Sequence, residues 1–181
     1  MPPGPSGSTS REMELPQREQ TPVCLMWDSE NVRIPSDMPS PFTACSLIRQ
    51  VASTYGPIRC FKAYMETELE RGERRTATRS ALQSSGVTIA DTPHNGGKEV
   101  ADKQLIVDLF TFALDHPRAA FVLITGDKDF AYACSTLRNR QYKMILLSPE
   151  TGVSESLRQS CDEMVFWRTG VLGLPLRGGG G

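Results

Sequence analysis

Three acidic motifs stand out in a chain of 181 residues: WDSEN at 27–31, VADKQLIVD at 100–108 and TGDKDF at 125–130. In the first, Asp28 follows directly on the apolar run from Val23 to Trp27. In the third, Asp127 follows the run from Phe121 to Thr125, and Asp129 comes two residues later. If both runs are strands of an open parallel sheet, these carboxylates stand beyond strand carboxyl ends. That is where such sheets bind ligands, at the point where strand order reverses. One strand-end aspartate is by itself an ordinary cap for the next helix. Two acids in close succession suggest more, because one helix needs only one cap.

The middle motif carries the third carboxylate. With Asp102 as position i, Leu105, Ile106 and Leu109 fall at i+3, i+4 and i+7, so Asp102 heads the apolar stripe of a helix. The helix dipole rewards a first-turn acid by only ~0.3–1 kcal/mol, and would reward an outward one equally. It does not explain an inward acid. Ionised carboxylates crowded in a partly dry site repel, so such a cluster requires cations. All-oxygen ligation selects Mg²⁺ or Mn²⁺ over zinc. Two such ions ~3.5–4 Å apart clamp a phosphodiester, one activating a water and the other stabilising the leaving oxygen. The chemistry expected of Asp28, Asp102 and Asp127 is therefore metal-assisted phosphodiester hydrolysis, with Asp129 as an auxiliary ligand or water-orienting base. Asn31 would orient a carboxylate or hydrogen-bond a phosphate oxygen, or else serve as a turn residue. Glu30 and Asp108 are expected to face solvent.

A phosphodiester substrate needs cations around the acids. The run RGERRTATR supplies Arg71, Arg74, Arg75 and Arg79, of which Arg71, Arg75 and Arg79 share one helical face. Arg33, Lys98, Lys103 and Lys128 flank the acidic motifs. Together they would line a groove that tracks a single-stranded backbone, although a solvated face is the ordinary meaning of such a run. Trp27 would stack on a base or pack in the core. His94 would touch substrate or metal, or simply be exposed.

These residues need a scaffold. Charged residues make up 23% of the chain, hydrophobic residues 39%, and the net charge is −1. That charge excludes binding to nucleic acid by bulk polybasic attraction. No stretch approaches the ~20 apolar residues of a bilayer span, and no apolar signal segment opens the chain. Five cysteines without Cys-x-x-Cys spacing suggest neither a disulfide framework nor zinc. Short apolar runs alternate with helical patterns: strands at 23–27, 58–64, 87–90, 121–125, 144–147 and 165–167, and helices at 42–53, 73–83, 99–114, 130–140 and 154–161. Ser40-Pro41 reads as a cap with proline at the first helical position. Such alternation implies βαβ units. Continuous apolar strands imply helices on both faces. The expected fold is a three-layer αβα sandwich with a central, mostly parallel sheet over 21–168. A disordered leader at 1–20 and a flexible tail at 169–181 would flank it.

WDSEN, VADKQLIVD and TGDKDFAYACSTLRNRQYKMILLS, in this order and spacing, resemble the NYN domain, a nuclease domain with a PIN-like fold. The resemblance covers essentially all of 22–168 and points to the meiosis regulator and mRNA stability factor group, in its short fungal-type form. It implies a parallel sheet with PIN-like strand order and a metal-dependent endoribonuclease. In that site Asp28, Asn31, Asp102, Asp127 and Asp129 hold the family's positions, with Mg²⁺ or Mn²⁺ bound. Over 62–98 the match is loose. The additional RNA-binding repeats of that group do not occur in this sequence, so either a protein partner selects the target or the sequence is a fragment of a longer protein; a homodimer is also open. The expected setting is intracellular and cytoplasmic, a peroxisomal link following from family resemblance alone. No GxGxxG, GxSxG or GxxxxGK[ST] is present, which argues against a dinucleotide oxidoreductase, an α/β-hydrolase and a P-loop enzyme. The leading expectation is a ribonuclease acting on single-stranded RNA in post-transcriptional control. The alternatives are a weakly active or inactive RNA-binding scaffold, and a phosphatase using Asp28 as nucleophile, for which position 30 would ordinarily be a second Asp rather than Glu.

Overall fold

The computed structural model describes residues 20–66, 72–92 and 98–178. The expected leader lies outside the described residues except for Gln20. So do Arg71, His94, the Asn95-Gly96-Gly97 loop, the Lys98 side chain and the last three glycines.

The chain alternates strands and helices: β1 (Val23–Asp28), α1 (Pro41–Ser53), β2 (Ile58–Glu66), α2 (Glu73–Ser84), β3 (Thr88–Thr92), α3 (Lys98–Asp115) and β4 (Ala120–Ile124). A 3-10 turn (Lys128–Phe130) leads into α4 (Ala131–Asn139), followed by β5 (Lys143–Ser148), α5 (Glu155–Gln159), β6 (Glu163–Phe166) and a π-helical turn (Trp167–Val171). The six strands form one sheet in the order β3-β2-β1-β4-β5-β6, and every pairing is parallel. Among the described residues the expected "mostly parallel" sheet is wholly parallel, and its order reverses between β1 and β4.

The strand period of two sorts side chains between the faces. On β1, Val23, Leu25 and Trp27 enter one core cluster with α1 and α2, while Cys24 and Met26 enter the other with α3, α4 and α5. On β4, Val122 and Ile124 join the first cluster, and Phe121 and Leu123 the second. All of these residues are buried, which explains why the strands read as unbroken apolar runs. Four of the five cysteines are buried and all are free, consistent with small core hydrophobes.

Helix starts follow local chemistry. The Ser40 hydroxyl accepts the Thr43 N–H, and Pro41 begins α1 as expected. Ser154 caps α5 by accepting the Leu157 N–H. Two expectations need correction. The segment from Phe130 does not start as an α-helix, because Asp127 caps a 3-10 turn first. The packed domain also does not end at 168. The π-helical turn buries Val171, and Leu172 follows it into the first core cluster beside Trp167. Arg168 then pairs with Asp37, its Nη1 lying 3.0 Å from Oδ1.

Candidate active site

Asp28 ends β1 and continues the face of Cys24 and Met26, so its carboxylate projects toward α3. It is 4% exposed. Thr125, one residue past β4, continues the face of Phe121 and Leu123 and reaches the same place. Its hydroxyl donates to Asp28 Oδ2 at 3.0 Å and accepts the Asp127 N–H at 3.1 Å. This buried threonine binds two of the acids together, and the sequence reading passed over it. The signal was present: a hydroxyl closing an apolar strand just before Gly-Asp.

Asp102 enters from the first turns of α3. Leu105, one turn on, and Leu109, two turns on, are buried in the second core cluster, and Ile106 is packed against it. The stripe reading is therefore correct, and it brings Asp102 to the sheet edge. One carboxylate oxygen from each of Asp28, Asp102 and Asp127 lies within 4.8 Å of the others. An ion ~2.1 Å from each ligand sets octahedral oxygens ~3.0 Å apart in cis and ~4.2 Å in trans. Three mutually close carboxylate oxygens thus fit the donor set of a hard divalent cation, and a small inward adjustment would bring them onto one ion.

The remaining expected residues divide. Asn31 Oδ1 accepts the Gly126 N–H at 2.6 Å and ties the segment after β1 to the segment after β4. A Cβ on Gly126 would lie 3.1 Å from Pro149 Cδ and 3.3 Å from Asn31 Oδ1, so the tight approach favours glycine there. Asp129 is exposed on the 3-10 turn and stands outside the group of three; its N–H donates to Asp127 Oδ1 at 3.0 Å. Lys128 is exposed on the same turn. Arg33, Arg75 and Arg79 lie on the α2 side: Arg33 and Arg75 are held by Glu30, and Arg79 is paired with Asp91.

Two acids expected in solvent are not there. Glu30 Oε2 accepts Arg75 Nη2 at 2.8 Å and Arg33 Nη2 at 3.1 Å. Asp108 Oδ2 accepts both Lys62 Nζ and Tyr64 Oη at 2.5 Å. Burial, reinforced by that carboxylate, pushes the Tyr64 phenol well above its usual range and keeps it a donor. Trp27 is core, 1% exposed, with its ring 5.6 Å from Trp167 and its Nε1–H donated to the Val32 carbonyl.

The fold and edge define a doubly wound α/β domain with a carboxylate cluster at its switch point. The NYN domain family model matches residues 22–170, and the chain belongs to that family. It is 29% identical over 166 residues to "Meiosis regulator and mRNA stability factor 1" of Xenopus tropicalis, covering 89% of this chain and 9% of that protein. The Bos taurus protein of the same name is 27% identical over 161 residues, again with 9% of its length covered. The chain thus spans less than a tenth of the curated relatives it matches. A crystal structure of a protein of unknown function from Vibrio parahaemolyticus shares the fold, with a TM-score of 0.69, 17% identity, and coverage of 84% of this chain and 96% of that one.

Proposed function

We propose that this domain is a metal-dependent ribonuclease that cleaves single-stranded RNA internally and acts in RNA turnover and post-transcriptional control. One observation carries the reading: carboxylate oxygens of Asp28, Asp102 and Asp127 lie within 4.8 Å of one another at the switch point of a parallel sheet. Membership of the NYN family and similarity to proteins named for mRNA stability support it.

These three aspartates would hold Mg²⁺ or Mn²⁺. Such an ion supplies Lewis-acid polarisation of a phosphodiester and a water acidic enough to attack near neutral pH. Thr125 fixes the Asp28 carboxylate and the Asp127 backbone, so two of the three ligands keep their spacing without substrate. Asn31 holds the two loops that carry them. Asp129, beside Asp127 and exposed, is available to accept a proton from the attacking water. Lys128 and Arg33 present cations on either side for the RNA backbone. A protein partner would supply target selection, and an activity on messenger RNA belongs inside the cell.

The test is cleavage of end-labelled single-stranded RNA with Mn²⁺, Mg²⁺ or EDTA, comparing the wild type with Asp28→Asn and Asp127→Asn, each checked for folding by circular dichroism. Metal-dependent cleavage lost in both folded variants is the expected result, with internal products on the gel. Folded wild type that binds RNA but never cleaves it, or full activity in Asp28→Asn, would sink the proposal.

A further inference from the structure

Behind the acids, on the other face of the same edge, a cavity of about 310 Å³ opens between the segment after β1 and α2. Its floor is apolar, made by Trp27, Ile34, Met65 and Leu82, and its rim carries Arg33, Arg74 and Arg75. A second hollow of about 370 Å³ shares Ile34, Arg74 and Thr78 with the first and continues along α2 to the half-exposed ring of Phe42. Together they form one groove leading away from the strand ends. Ser29 and Glu30, which line its head, directly follow Asp28. At ~3.3 Å per residue, their backbone stands only ~3–7 Å past the acid.

The charges on this rim are organised. Glu30 accepts Arg75 on both carboxylate oxygens, at 3.0 and 2.8 Å, and Arg33 on one, at 3.1 Å. The carboxylate is consumed by that clamp and serves to fix two guanidiniums. Arg74 is different. It is exposed, lines both hollows, and among the described residues its guanidinium pairs with no acid. An apolar floor under three cations suits a ligand that is flat and apolar in its body and anionic at its edge. An uncharged apolar guest would leave Arg74 unused, and a free phosphate would leave the floor unused.

Resting on the ribonuclease reading, we propose that this cavity seats one unpaired base of the RNA, the neighbour of the phosphodiester held at the acids. Arg74 takes the next phosphate, and the strand runs on along α2 toward Phe42. Glu30 is a positioning residue for Arg33 and Arg75. A base can enter such a cavity only when it is splayed out of a helix, so the substrate class is single-stranded RNA and the selectivity is steric. Base edges are not read here by Glu30, whose oxygens are already occupied, so the seat tolerates more than one base type.

The test is equilibrium binding in EDTA of a short single-stranded RNA and of the same strand made fully abasic, read by fluorescence anisotropy. Wild type should prefer the intact strand by about tenfold or more, the scale of one seated base. Thr78→Trp, which places a ring in both hollows, should reduce that preference to less than about threefold. Arg74→Glu should weaken both strands alike and lower the salt slope by about one. Equal binding of intact and abasic strands by wild type overturns the base seat, and needs no variant to fold. Full preference in a folded Thr78→Trp overturns it as well. Metal-dependent cleavage, assayed separately, keeps the two ideas apart. Cleavage without base preference removes the seat and leaves the nuclease, whereas base preference without cleavage does the reverse.

Discussion

The α3 side of the sheet's carboxyl edge carries three carboxylates, while the α2 side carries arginines, from α2 and the segment after β1, over an apolar hollow. Trp27 and Asp28 are neighbours in sequence but face opposite layers, because successive residues of a strand alternate. The end of β1 therefore lies between a cation-demanding surface in one layer and an anion-demanding surface in the other. Placed in one layer, the arginines would neutralise the acids directly and compete with a metal. Separated by the sheet, each set keeps its own partner: Glu30 organises the arginines, and Thr125 organises the acids.

This separation can be broken by experiment. The largest effect should come from Asp28→Asn. Cleavage should fall by more than about a hundredfold, while RNA affinity in EDTA holds or rises because a negative charge has gone. Loss of affinity alongside activity would mean that the two sides are not separable. Next in size, Mn²⁺ at a hundred times its dissociation constant should stabilise the wild type by about 2.7 kcal/mol in thermal melts. Asp127→Asn should lose most of that gain, and Arg74→Glu should keep it. Asn31→Ala removes the side-chain bond to Gly126 and should cost about 1 kcal/mol in denaturant unfolding. It should also weaken the Mn²⁺ response, since the loops after β1 and β4 are no longer joined there.

The smallest effect tests a clasp beside the groove, at Asp37 between the lining residues Ser36 and Met38. The hydrogen bond from Arg168 holds the Asp37 carboxyl down to about 2. A depressed carboxyl contributes stability that is present above its unfolded value near ~3.9 and lost as pH falls through the folded value. Asp37→Asn should therefore melt slightly below wild type at neutral pH. The gap should narrow from about pH 4 downward and close at about pH 1, below the folded value. A gap that persists undiminished from about pH 4 to about pH 1 would assign the difference to something other than this carboxylate.

Much of this was legible in sequence because the signals are local. Unbroken apolar runs marked β1, β4 and β5, alternation with helical patterns marked the other strands, Ser40-Pro41 marked the start of α1, and Asp102 stood at the head of its apolar stripe. What was misread depends on partners far along the chain. Glu30 meets Arg75, 45 residues away, and Asp108 meets Lys62, 46 residues away. Helical periodicity separates core from not-core. It does not separate solvent from the flank of a neighbouring strand, and Asp108 sits on that flank. At the C-terminal end, surrounding glycine and proline hid Val171 and Leu172, two residues that dock against Trp167 in the core cluster. Thr125 carries a local signal, the hydroxyl before Gly-Asp, but its bond to Asp28 joins residues 97 apart and arises only once β4 pairs with β1.

The strand order has a consequence for how the molecule comes into being. The chain lays down β1, β2 and β3 first, then returns to insert β4 on the other flank of β1. Asp28, Asn31 and the α2 arginines belong to the early half; Asp102 and Asp127 belong to the late half. Residues 23 and 120 are register partners, so this seam closes only after almost a hundred intervening residues have been made. Neither half holds the complete acid set. A chain emerging from the ribosome, surrounded by the RNA that encodes it, therefore has no assembled centre until the second half has docked.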